Sequence, residues 1–92
     1  MKPIHPGRIL KREIEARGIS ANKLALALRV SSGRIIQIIN AKRGISAETA
    51  LRLSRYFGNS ARFWMNLQTR YARAKTELEI GSKVDAEVEQ AA

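Results

Sequence analysis

Few residues in this chain could move a proton or hold a metal. His5 is the single histidine, cysteine is absent, and no aspartate precedes Asp85. Glu13 and Glu15, two apart on any helix, point in different directions and cannot act as a carboxylate pair. Ser31, Ser32, Ser46 and Ser60 have no base within reach along the sequence, so helix capping is their simplest role. These residue types predict no catalytic set, no metal site and no cofactor. The side chains that can do selective chemistry lie elsewhere, in the run Ser32-Gly33-Arg34-Ile35-Ile36-Gln37-Ile38-Ile39-Asn40. Arginine pairs bidentately with guanine O6 and N7, and glutamine with adenine N6 and N7, in the major groove of DNA. Projected at 100° per residue, Ile35, Ile38 and Ile39 fall on one side of a helix, and Gly33, Arg34, Gln37 and Asn40 on the other.

Such a helix must be held by others, and start signals announce five of them. Pro6 opens a first helix to about Arg17, with Leu10 and Ile14 as an apolar pair. Ser20 caps a second that ends near Leu28 and buries Leu24, Ala25 and Leu28. Ser31 caps a third, to about Ala41. Ser46 caps a fourth through about Phe57, with Ala50, Leu53 and Phe57 inward, and Gly58 stops it. Ser60 caps a fifth and longest helix, striped by Trp64, Leu67, Tyr71, Ala74 and Leu78, for which Gly81 is the expected stop. No stretch alternates at strand period, so the fold class is all-α. Between the second and third helices the link is a tight turn, with small Ala25 at the crossing and Leu24, Leu28, Val30, Ile35 and Ile38 filling the wedge. That is the pattern of a helix-turn-helix.

Charge places a partner on this frame. Over residues 1–75, sixteen of the seventeen lysines and arginines face only Glu13, Glu15 and Glu48, a surplus of thirteen positive charges; residues 76–92 carry a net −4. A polycationic body is drawn to polyphosphate through counterion release, and nucleic acid is the leading partner class. Asn22 and Lys23 at the start of the second helix, and Asn40, Lys42 and Arg43 after the third, suit phosphate contact. A 92-residue chain supports one core, which divides it into a DNA-binding domain over residues 1–80 and an acidic tail over 81–92. No apolar segment reads as a signal peptide or membrane span, and a cytoplasmic protein without a membrane partner is expected.

Three separated segments, Ile4-His5-Pro6-Gly7-Arg8-Ile9-Leu10, Asn40-Ala41-Lys42-Arg43-Gly44-Ile45-Ser46-Ala47-Glu48-Thr49-Ala50 and Phe63-Trp64-Met65-Asn66-Leu67-Gln68-Thr69-Arg70-Tyr71, carry a resemblance covering about residues 3 to 75. The chain resembles HigA-type antitoxins of the phage-repressor-like helix-turn-helix superfamily. The resemblance implies a five-helix, lambda-repressor-like domain that dimerises, binds a palindromic operator in its own promoter, and neutralises a HigB-type ribosome-dependent ribonuclease toxin. By position it assigns base contact to Ser32, Gly33, Arg34 and Gln37, and phosphate contact to Asn22, Lys23, Asn40, Lys42 and Arg43. Arg29 departs from the pattern, standing in the turn where relatives often have glycine. The fifth helix is expected to supply the homodimer surface, with Tyr71 and Leu78 as its candidates and Trp64 and Phe63 shared between core and interface. A stand-alone repressor without a toxin partner is the alternative reading.

Overall fold

The computed structural model describes residues 2–91, in which five helices follow one another: α1 (Pro6–Ala16), α2 (Ala21–Leu28), α3 (Ser32–Ile39), α4 (Ala47–Phe57) and α5 (Ala61–Glu87). There is no strand among the described residues. Serine hydroxyls start four of the five, each accepting a hydrogen bond from the backbone N–H three residues on. Ser20 serves Lys23 at 3.0 Å, Ser31 serves Arg34 at 3.2 Å, Ser46 serves Thr49 at 3.3 Å and Ser60 serves Phe63 at 3.0 Å. Each cap satisfies a donor that the first turn leaves without an intrahelical acceptor. At α1 the cap is His5, whose Nδ1 accepts from the Gly7 N–H at 2.9 Å.

Leu10, Ile14, Leu24, Ala25, Leu28, Ile35, Ile38, Ile45, Ala50, Leu53 and Trp64 form one core contributed by every helix and by the loop after α3. Phe57 packs at its edge rather than inside it. Trp64 is fully buried, and its indole N–H donates to Asn59 Oδ1 at 2.9 Å. The amino end of α1 meets the carboxyl end of α3 without a side chain between them. A Cβ on Gly7 would lie 1.8 Å from the Ile38 carbonyl oxygen, far inside the 3.0 Å below which non-bonded Cβ atoms essentially never approach a neighbour. Glycine is the only residue that permits this crossing.

The turn between α2 and α3 is made by Arg29 in the left-handed conformation, φ 61° and ψ 42°. Its successor closes the end of α2, with the Val30 N–H donating to the Ala25 carbonyl at 3.0 Å. A side chain pays for left-handed backbone, because Cβ crowds the following carbonyl. Arg29→Gly is therefore expected to stabilise the fold by roughly 0.5–1 kcal/mol, the relief of strain less the added chain entropy of glycine. Urea unfolding followed by the sole tryptophan checks this, and a lower midpoint would contradict it.

Gly81 does not stop the last helix. α5 runs through it to Glu87, so the first part of the expected acidic tail, residues 81–87, continues the helix. A glycine stop works by adopting a positive φ, and Gly81 does not. The residues after it are compatible with helix, no proline follows, and interior glycine costs only about 1 kcal/mol. Arg73 and Lys75 lie 3.9 Å from Glu77 and Glu79 respectively, one turn ahead on the same helix. α3 is shorter than expected, ending at Ile39, because Ala41 turns to φ 60° and the Lys42 N–H donates back to the Gln37 carbonyl at 2.8 Å.

Candidate nucleic-acid interface

α3 buries Ile35 and Ile38 completely and tucks Ile39 against the core. The opposite side carries Gly33, Ile36, Gln37 and Asn40, at steps of three, one and three residues, all exposed. These four occupy one stripe of the helix. Ser32 stands partly buried at the first position of α3, and Gly33 has no atom within 4 Å of where a Cβ would project, so the start of the helix is open to an approaching surface.

Arg34 is placed differently from the sequence projection. It sits at the flank of this stripe rather than on its outer face, with only 27% of its side chain exposed. Its Nη1 donates to Glu48 Oε1 on α4 at 3.2 Å. The other oxygen of Glu48 accepts from Arg52 Nη2 at 3.2 Å, and Arg52 Nη1 reaches the Leu28 carbonyl at the end of α2 at 3.0 Å. One carboxylate and one guanidinium thus connect α2, α4 and the flank of α3. The hydrogen bonds from Arg52 and Arg34 hold the Glu48 carboxyl below the usual carboxylate range. Exposed pairs of this kind contribute little to stability, so their effect is to fix where the Arg34 guanidinium sits. Its remaining N–H donors stay free for another acceptor.

Asn22 and Lys23 lie exposed in the first turn of α2, and Lys42 and Arg43 lie exposed in the loop that follows the Asn40 cap of α3. That loop is anchored from behind. The Ile45 N–H donates to Gln68 Oε1 on α5 at 2.7 Å, and Ile45 itself is buried. His5 supports the same region, hydrogen-bonding the Arg43 backbone while its ring meets Tyr71 edge-on at 4.7 Å. Burial pushes the His5 imidazole below its ordinary value, the nearby Lys75 charge adds to this, and the Arg43 bond opposes both. A neutral ring is what the cap of α1 requires, since Nδ1 accepts there.

Of the two candidate interface residues, Leu78 is 66% exposed on the projecting part of α5, whereas Tyr71 is half-buried against His5. Trp64 is wholly in the core, and Phe63 is exposed beside it, their rings 5.1 Å apart. Ile36 was not singled out in the sequence. The signal was present in the spacing, since it stands three residues after Gly33 and next to Gln37. The Arg34–Glu48 pair spans 14 residues and has no local signature. Among the described residues no cluster of acidic or imidazole side chains could hold a metal, and no helix is long and apolar enough to cross a membrane.

The Helix-turn-helix family, HTH_3, matches residues 10–64, which takes in α2, the turn and α3. Virulence-associated protein I of Dichelobacter nodosus is 54% identical over 72 residues, 77% of this chain and 67% of that protein. Among solved structures, the Coxiella burnetii addiction module antidote protein of a HigA family is 41% identical, covering 99% of this chain and 100% of that one, with a TM-score of 0.95. Pseudomonas aeruginosa antitoxin HigA, solved with the higBA promoter, is 44% identical over 99% of this chain and 100% of that one, with a TM-score of 0.96. With five helices matched end to end, the chain belongs to the helix-turn-helix family of DNA-binding proteins and, within it, to the HigA-type antitoxins.

Proposed function

We propose that this protein is a sequence-specific DNA-binding antitoxin: it binds its own promoter as a homodimer, represses it, and neutralises a HigB-type ribonuclease toxin in the cytoplasm. The observation that carries the DNA reading is the exposed stripe of α3, flanked by Arg34 and bordered by Lys23, Lys42 and Arg43, on a body nearly free of acid. The solved complex of the Pseudomonas antitoxin HigA with the higBA promoter supports a promoter as the target. The toxin partner rests on membership of the HigA type. The protein acts by binding and carries out no reaction of its own.

In this reading α3 enters the major groove, where Ser32, Gly33, Arg34 and Gln37 contact bases. Asn22, Lys23, Asn40, Lys42 and Arg43 contact phosphates and set the register. Residues 1–80 form the DNA-binding unit, and α5 pairs two copies through Tyr71 and Leu78. A two-fold dimer then reads a palindrome whose half-sites lie about 34 Å apart, or a multiple of that. Glu48 hands Arg34 to the groove already oriented, which reduces the entropy lost on contact.

The roles separate by mutation. Arg34→Ala is expected to relax base preference at one position per half-site, costing roughly 1–3 kcal/mol of discrimination, whereas Lys42→Ala weakens every sequence alike. Competition binding with single-base operator variants measures both. Uniform losses on all sequences for both substitutions would contradict the assignment.

A further inference from the structure

The outer stripe of α3 holds one large apolar side chain, Ile36, 46% exposed between Gly33 and Gln37. The core does not require it, because Ile35 and Ile38 already fill the wedge and are fully buried. Single exposed apolar residues are common on protein surfaces. Ile36 differs from Leu26 or Leu51 in its company: it shares its stripe with Gln37 and Asn40, which can hydrogen-bond base edges, and with Gly33, which presents no side chain one turn earlier.

Resting on the DNA reading of α3 proposed above, we infer that Ile36 is a specificity-determining residue that recognises the 5-methyl group of a pyrimidine in the major groove. Among the four unmodified bases only thymine carries such a group, so the target is thymine, with 5-methylcytosine as its chemical equivalent. The β-branched side chain is stiff at χ1 and loses little freedom when it packs against a methyl. Ile36 offers no hydrogen bond, so it penalises bases that present an amino group or a ring nitrogen there, by leaving that group unpaired and dry. Gln37, beside it, suits adenine. The two together favour a thymine adjacent to an A·T pair in each half-site.

The test is a thymine-to-deoxyuridine scan of the protein's own upstream promoter, since deoxyuridine lacks the methyl and keeps every hydrogen-bonding group. Binding is compared for the unmodified protein, Ile36→Ala, Ile36→Val and Gln37→Ala. At one or two thymines per half-site, deoxyuridine is expected to weaken the unmodified protein about fourfold, the effect of one buried methyl-sized group. Ile36→Ala should be indifferent at those positions, while Ile36→Val keeps most of the sensitivity. Placing 5-methylcytosine there should bind the unmodified protein better than cytosine, and Ile36→Ala equally to cytosine. If Ile36→Ala retains the full sensitivity at each thymine while Gln37→Ala changes preference at its own base pair, α3 reads DNA and this inference is wrong. If neither substitution changes preference at any base pair, the reading of α3 itself fails.

Discussion

Trp64→Ala is expected to destabilise the protein by roughly 3–5 kcal/mol, the range for deleting a large buried aromatic. The indole is fully buried, and its ring centroid lies 5.8 Å from that of Phe57 and 5.1 Å from that of Phe63. Its loss leaves a cavity between α4 and α5, and leaves Asn59 Oδ1 without its donor. A domain of this size has a total stability on the order of 5–15 kcal/mol, so the substitution removes a large part of it. DNA binding should fail with the fold, because Gln68, one turn beyond Trp64 on α5, anchors the loop that carries Lys42 and Arg43. Trp64→Phe keeps most of the volume and should cost much less. Helical circular dichroism in urea measures both variants, and a loss below about 1 kcal/mol for alanine would show that α5 is not keyed into the core by this residue.

Raising salt from 50 to 200 mM is expected to weaken promoter binding about 1000-fold. With Lys23, Lys42 and Arg43 on phosphates as proposed, a dimer neutralises six phosphates, for a slope of log K on log salt near −5. Asn22 and Asn40, uncharged, would add contacts in that arrangement but no counterion release. A scrambled duplex should show nearly the same slope at lower affinity, because phosphate contacts carry no sequence information. Lys42→Ala removes two charges from the dimer and should flatten the slope by about two. Isothermal or fluorescence titrations across the salt series give these slopes directly. A slope near zero would contradict a phosphate-bound mode.

Local chemistry was the part of the fold most legible in the sequence. Ser20, Ser31, Ser46 and Ser60 mark helix starts because a hydroxyl three residues ahead of an unsatisfied N–H needs no tertiary context. The wedge residues of the helix-turn-helix were legible from period 3.6, and all but Val30 are buried. What depended on the third dimension was not. Gly7 reads as an ordinary helix-start residue until α3 brings the Ile38 carbonyl against it. Arg34 reads as a free cation until α4 places Glu48 beside it. Gly81 reads as a stop because glycine is the usual C-terminal residue, yet that role needs a left-handed turn with something to pack against, and α5 has already left the bundle there. Ile36 was masked by its neighbours: four isoleucines in one short helix suggest core, although the spacing from Gly33 already puts this one on the outer face.

Promoter reading and toxin binding by this protein meet in one experiment: equilibrium binding to the DNA upstream of its own gene, against a scrambled duplex of equal length, with and without the product of the adjacent gene. Tight binding selective for the promoter, altered when that product is added, is the expected result. Selective binding with no response would leave a stand-alone repressor, and equal, salt-sensitive binding to both duplexes would contradict sequence reading by α3 altogether.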